Sequence, residues 1–260
     1  MRYGEIDHFH SGLVVPLSAL RTRHSMGVGE FADLPILAEW ARDVGFDLLQ
    51  ILPVNDTDDE ISPYSARSAF ALHPIHLRLD DVDGSEPFLD ELATVREATA
   101  QAPTLQYADV LGLKREFARR IFDRHDTGQL WDLVEDWVEQ NPWIRPHAVY
   151  CVLRERNHRR SWKQWPQLRD PSPADLDRFW DARSSELLFH VWLQWECDRQ
   201  LRAAATAVDG MGLRLKGDLP ILLSEDSSDV WYHRELFDLE DRAGAPPDMY
   251  SETGQFWGFP

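Results

Sequence analysis

Between Gly12 and Val54 the chain reads strand, loop, helix, strand, and this βαβ order restricts the fold more than any other feature. Leu13-Val14-Val15 is a short apolar run ended by Pro16, and a polar, glycine-containing loop runs from Arg21 to Gly29. A helix follows whose Ile36, Leu37, Trp40, Ala41 and Val44 share one face, with Pro35 suited to its first turn and Gly45 to its left-handed close. Leu48 to Leu52 is again apolar and ends at Pro53. A parallel pair with both faces covered accounts for strands of this composition.

From Asn55 to Gly212 the periodicity changes. Asp56 to Phe70 reads as a polar loop and Pro74 to Leu79 as a short strand, after which the signals are helical. Val110, Leu113, Phe117 and Ile121 mark one amphipathic helix, and Leu130, Val134 and Trp137 another. Ala148 to Arg156 and Leu187 to Val208 read as two more, the joints being Asn141-Pro142, Trp165-Pro166 and Pro171 to Pro173. A strand returns over Leu213 to Leu223, followed by an acidic loop from Ser224 to Asp229, a helical Val230 to Leu239, and a Gly/Pro-rich stretch from Ala243 to Pro260. The expected division is therefore 1–55 as the first strands and helix, 56–209 as a mostly helical insertion, and 210–260 as a further strand with a binding loop. The class is α/β, with three strands where a (β/α)8 barrel needs eight.

Composition narrows the chemistry. The formal charge of −18 would repel a phosphate backbone or an anionic membrane surface, so neither nucleic acid nor membrane is an expected partner. No leader pattern or apolar span is present, and the reading is a soluble cytoplasmic protein. Cys151 and Cys197 stand apart in helical contexts, which predicts buried reduced thiols. His8 and His10 lack a third ligand, no glycine-rich phosphate loop occurs, and no Gly-x-Ser-x-Gly elbow supports Ser65, Ser68 and His73 as a nucleophile and base. No metal or organic cofactor is implied.

Asp218, Glu225, Asp226 and Asp229 gather at the carboxyl end of the last strand, where α/β folds place their ligands. A solvated acidic loop is the plainer reading of the last three, whereas Asp218 inside an apolar run needs a partner. The chain also has 11 tryptophans, and aromatic faces with carboxylates suit carbohydrate. Trp40, Trp137, Trp192 and Trp195 sit at helical spacing and read as core; Trp257, in a polar glycine-rich loop, reads as a binding residue.

Several segments together resemble one family. They are Ser11-Gly12-Leu13 through Pro16-Leu17 with Leu20-Arg21, Gln50-Ile51-Leu52-Pro53, Ser62-Pro63-Tyr64-Ser65 through Phe70, Gly217-Asp218-Leu219-Pro220-Ile221, Asp229-Val230-Trp231, and Pro246-Pro247-Asp248 with Ser251-Glu252-Thr253-Gly254-Gln255 and Trp257-Gly258. These are similar to the 4-alpha-glucanotransferases, or amylomaltases, of glycoside hydrolase family 77. The resemblance implies the N-terminal portion of a TIM-type barrel with a helical insertion, acting on maltooligosaccharides and alpha-1,4-glucans. The implied reaction moves a glucan segment to the 4-hydroxyl of an acceptor sugar with retention, through a carboxylate nucleophile and a second carboxyl as acid then base. Tyr64 and Asp218 match donor-side sugar contacts, and Asp248, Glu252, Gln255 and Trp257 match a loop over the site. The family's nucleophile and acid/base are expected beyond Pro260, so no residue here is assigned as catalytic, and a C-terminal segment is the implied partner. A non-catalytic glucan-binding or regulatory module is the alternative. Ile61 and His73 depart from the family's usual residues.

Overall fold

The computed structural model describes residues 9–102, 104 and 106–260. Strand β1 (Gly12–Val15), helix α1 (Leu34–Asp43) and strand β2 (Leu48–Ile51) form the βαβ unit, the strands pairing in parallel from Gly12↔Leu48 to Val15↔Ile51. Gly12 has no substitute there, because a Cβ would lie 2.6 Å from the Leu48 carbonyl oxygen. Helices α2 (Leu89–Ala100), α3 (Tyr107–Phe122), α4 (Thr127–Gln140), α5 (Ile144–Arg156), α6 (Pro173–Asp181) and α7 (Ser185–Gly210) follow. Strand β3 (Arg214–Lys216) then joins the free edge of β2 in parallel, giving the order β1-β2-β3. Helix α8 (Ser228–Tyr232) and a hairpin of β4 (Gly244–Ala245) and β5 (Gln255–Phe256) complete the described elements.

Local chemistry sets the helix starts. Asp126 accepts the Gln129 amide at 3.0 Å ahead of α4, and Ser184 accepts the Leu187 amide at 3.2 Å ahead of α7. Ser172 and Asp175 form a reciprocal capping box on α6, with Pro173 in the first turn where no amide is required. Helix α7, 26 residues long, packs on α1 and β3 and on α4 and α5, so it joins the sheet to the helices before it. Cys197 is buried in it and Cys151 half-buried in α5, both as free thiols. Trp165, Trp231 and Tyr150 cluster with ring centroids 5.5–5.9 Å apart beneath α5 and α8.

Several sequence expectations need correction. Pro74 to Leu79 is two single 3-10 turns, Pro74–His76 and Leu79–Asp81, because Pro74 fixes the first turn and the His73 ring accepts the Ile75 amide. The strand expected over Leu213 to Leu223 stops at Lys216, and Leu219 and Ile221 are exposed. Helical structure expected over Val230 to Leu239 is one short helix and a turn at Arg234–Leu236.

The faces also differ. Helix α1 buries Leu34, Ala38 and Ala41 and turns Ile36, Trp40 and Val44 outward, so Trp40 is not a core residue. Leu13, Val15, Leu49, Ile51 and Leu215 pack into the core from one sheet face. The opposite rows, Gly12-Leu48-Arg214 and Val14-Gln50-Lys216, are exposed or half-buried, with Val14 59% exposed. Only one face of the sheet is covered among the described residues.

Candidate functional site

The segments following β2 and β3 meet at the carboxyl ends of the strands. Ala66 and Leu223 form a parallel bridge, and the Ser224 amide donates to the Ala66 carbonyl at 2.8 Å. The Ser228 amide donates to the Arg67 carbonyl at 3.0 Å, and the Ala69 amide donates to Asp229 Oδ2 at 2.7 Å. This stitching brings Tyr64 to Asp218: the phenol donates to Asp218 Oδ2 at 3.1 Å, and Asp218 Oδ1 accepts its neighbour's amide from Leu219 at 3.0 Å. The bond to the carboxylate raises the Tyr64 pKa above its ordinary value, because ionised phenol would face a negative charge. Tyr64 is 42% exposed, so ring face and carboxylate both meet solvent.

The other three acids of the cluster are half-buried and hold the surrounding segments together. Asp226 accepts from Arg67 Nη1 at 3.0 Å and from the Trp162 amide at 3.1 Å. Glu225 pairs with Lys163 and, at 2.9 Å, with Arg242. Asp229 is held above the usual carboxylate range by burial. Ser68 accepts the Phe70 and Ala71 amides and Ser65 makes no bond to His73, so the three do not form a catalytic set. His10 bonds Asp47 at 2.6 Å, His8 lies outside the described residues, and the described residues contain no cluster of three or more His, Cys, Asp or Glu side chains able to hold a metal.

The remaining expected residues lie on the β4–β5 hairpin. Asp248 accepts the Tyr250 and Ser251 amides at 2.8 Å each and thereby shapes its own turn. Gly254 closes the turn at φ +75°, with the Ala245 oxygen 2.5 Å from where a Cβ would lie. Trp257 donates its indole N–H to Gln255 Oε1 at 2.9 Å, and Glu252 is exposed. The hairpin is tied down at its base, where Arg242 reaches Glu225. Tyr64 and Asp218 are in contact; among the described residues no hydrogen bond, ion pair or ring contact links either of them to the hairpin.

One set of residues was not anticipated from sequence. Asp58, 2% exposed in the loop after β2, faces Arg115 at 2.9 Å, Arg154 at 2.7 Å, Arg67 at 3.6 Å, and Arg159. Burial opposes its charge, and the guanidiniums of Arg115, Arg154, Arg159 and Arg67 overcome this, holding the carboxyl well below the usual range. The Tyr64 loop is thus clamped to α3 and to α5 and the turn after it. The only sequence signal was an arginine-rich stretch, Arg154 to Arg160, whose target lies about a hundred positions upstream.

A phenol and a carboxylate in contact, as at Tyr64 and Asp218, can bind a polyhydroxylated ligand by hydrogen bonding and stacking. The 4-alpha-glucanotransferase family model matches residues 15–260. The 4-alpha-glucanotransferase of Chlamydia muridarum is 32% identical over 259 residues, an alignment covering 96% of this chain and 48% of the relative. That of Chlamydia caviae is 34% identical with the same coverage. In fold, the chain is similar to the amylomaltase from Streptococcus agalactiae solved with acarbose, at TM-score 0.77 and 22% identity, covering 96% of this chain and 52% of that one. It is also similar to the Corynebacterium glutamicum amylomaltase, at TM-score 0.76 and 25% identity over 96% and 36% of the two chains. The chain spans about half the length of the Chlamydia relatives it matches. With a family match running from β1 through the hairpin, and a mixed α/β fold shared with amylomaltases, this chain belongs to the 4-alpha-glucanotransferase family, glycoside hydrolase family 77.

Proposed function

We propose that these residues form the sugar-binding N-terminal portion of a 4-alpha-glucanotransferase that transfers segments of alpha-1,4-glucan to the 4-hydroxyl of an acceptor by a retaining double displacement. The observation that carries the reading is the Tyr64–Asp218 contact at the carboxyl ends of β2 and β3, where an α/β enzyme gathers its ligand groups. Asp218 would accept sugar hydroxyls and Tyr64 would stack and donate. Asp248, Glu252, Gln255 and Trp257 would approach the sugar from the hairpin. The open sheet face and, among the described residues, the unpartnered β1 and β3 edges support three strands of a TIM-type barrel, with 56–209 as its insertion.

Retaining transfer needs two carboxyl groups about 5–5.5 Å apart, one as nucleophile and one as acid then base. In this reading both come from the half of the family's length that residues 1–260 do not span, so the present residues bind and orient but do not cleave. The test is to purify residues 1–260, titrate them with acarbose and incubate them with maltotriose. Saturable acarbose binding without release of glucose or longer chains is expected. Robust disproportionation, abolished by Asp218→Ala or Glu252→Ala, would show that a complete catalytic site lies within this chain.

A further inference from the structure

Behind the Tyr64 loop, a cavity of about 370 Å³ is lined by that loop and helices α3, α5 and α7 and opens to solvent. Its walls carry five arginines, at positions 67, 115, 119, 154 and 159, on a chain whose net charge is −18. The facing carboxylates are fewer. Asp58 serves four of the guanidiniums, Asp226 reaches Arg67 and Arg154 from outside the cavity, and Glu116 is turned toward Arg120 at 3.9 Å. With Asp56 and Glu155, the cavity lining carries four carboxylates against five arginines, and Asp226 outside it is the fifth.

Arg119 is the cation left over. Its guanidinium lies 3.5 Å from the Phe189 ring centroid, with no carboxylate within 4 Å among the described residues. Burial depresses its basicity, whereas at Arg67 and Arg115 neighbouring negative charge overrides the same effect. Arg67 Nε lies 3.6 Å from Asp58, Arg154 Nε 3.8 Å from Asp226 and His190 Nε2 3.4 Å from Glu155, carboxylate contacts too long for good hydrogen bonds. Backbone strain is concentrated here too: Asp58 and Arg159, which pair with each other, and His158 all hold left-handed φ values of 55–60°.

We infer that this cavity is a binding site for a small phosphate monoester, distinct from the Tyr64–Asp218 site. Convergent guanidiniums match the oxygens of a dianion with paired hydrogen bonds, which a single carboxylate cannot saturate. The dianion would meet Arg119, which has no carboxylate partner within 4 Å among the described residues, and seat its ester body against Phe189 and Leu193. The inference does not depend on the glucan reading, because it uses none of the sugar-binding residues.

The experiment is thermal unfolding of residues 1–260 in about 10 mM inorganic phosphate, glucose 1-phosphate or malonate, each against sodium chloride of equal ionic strength. The two phosphate probes should raise the midpoint by about 3 °C, the dicarboxylate less, as expected when a ligand binds only the native state at roughly ten times its Kd. In Arg119→Met the phosphate shift should fall below about 1 °C while the midpoint in chloride stays within a few degrees of the parent. No phosphate shift beyond that of chloride in the unsubstituted chain would overturn the proposal, and this arm needs no variant to fold. An undiminished shift in Arg119→Met would equally overturn it by placing the anion elsewhere.

Discussion

Lys114 and Glu30, 84 positions apart, form a 2.6 Å ion pair in which each side chain is only 1% exposed. The remaining two ammonium donors go to the Ile75 and Leu77 carbonyls at 2.7 and 2.8 Å, and Glu30 Oε2 accepts from Arg78 Nε at 2.7 Å. Every charge-bearing atom of the pair is thus satisfied, and α3 is fixed to the turn that opens α1. Burial lowers the lysine's pKa, so the pair persists through geometry rather than solvation. Lys114→Met should leave two carbonyls and part of a carboxylate unpaired and destabilise the chain by about 3–5 kcal/mol, measured by urea unfolding. A loss under about 1 kcal/mol would mean that the pair is not a structural anchor.

Periodicity made the helices legible and left their partners unseen. Phe117 and Ile121 on α3, and Leu130 and Val134 on α4, are buried as their spacing indicates. On α1 the same rule selected Ile36, Trp40 and Val44, which face outward, because spacing marks a common face without saying what covers it. Likewise Leu219 and Ile221 are apolar yet exposed beyond a strand that ends at Lys216, and an apolar run interrupted by Gly217 and Pro220 was read as continuous. Tyr64 and Asp218, singled out by short motifs, do meet in the fold. Asp58 was not singled out, since its meaning depends on arginines that folding brings from distant helices, for which no local spacing exists.

Acid should destabilise this fold well before its carboxylates titrate. His73, His76 and His147 are buried, and burial pulls their pKa values down to about 4, 3 and 4. The unfolded chain binds these protons near pH 6.5 and the native one does not, so stability is full above that pH and falls as pH drops toward the native values. With all three contributing, the slope approaches about 4 kcal/mol per pH unit between pH 6 and 4. Asp58, with its depressed pKa, adds in the same sense below about pH 4, while Asp229 and Glu196, raised by burial, oppose the loss at higher pH, between their ordinary and their raised values. Denaturation midpoints in urea at pH 7.5, 6 and 5 check this, and a flat profile would contradict neutral buried histidines.

Asp58→Asn keeps the shape of the side chain and removes its charge. Four guanidiniums then lose their shared counter-charge, and the loop after β2 should loosen from α3 and α5. A loss of about 3–5 kcal/mol is expected, with faster proteolysis between residues 56 and 70. Unchanged proteolysis at those residues would show that other contacts suffice to hold the Tyr64 loop.

The hairpin depends on Gly254. At φ +75°, with a backbone oxygen 2.5 Å from a would-be Cβ, Gly254→Ala must shift the β4–β5 pairing, at a cost of about 1–3 kcal/mol borne locally. Cleavage between residues 246 and 254 should accelerate while the global unfolding midpoint moves little. Equal resistance in parent and variant would show that the turn tolerates a side chain.

The central claim is that Tyr64 and Asp218 form a sugar-binding surface, and calorimetric titration of maltoheptaose into residues 1–260 and into Asp218→Asn tests it most directly. The parent should bind saturably. The variant, with its far-UV circular dichroism unchanged, should bind roughly tenfold more weakly, as follows from losing about 1.4 kcal/mol of charge-assisted hydrogen bonding. Equal affinity in the two proteins, or no saturable binding by the parent, would contradict the account.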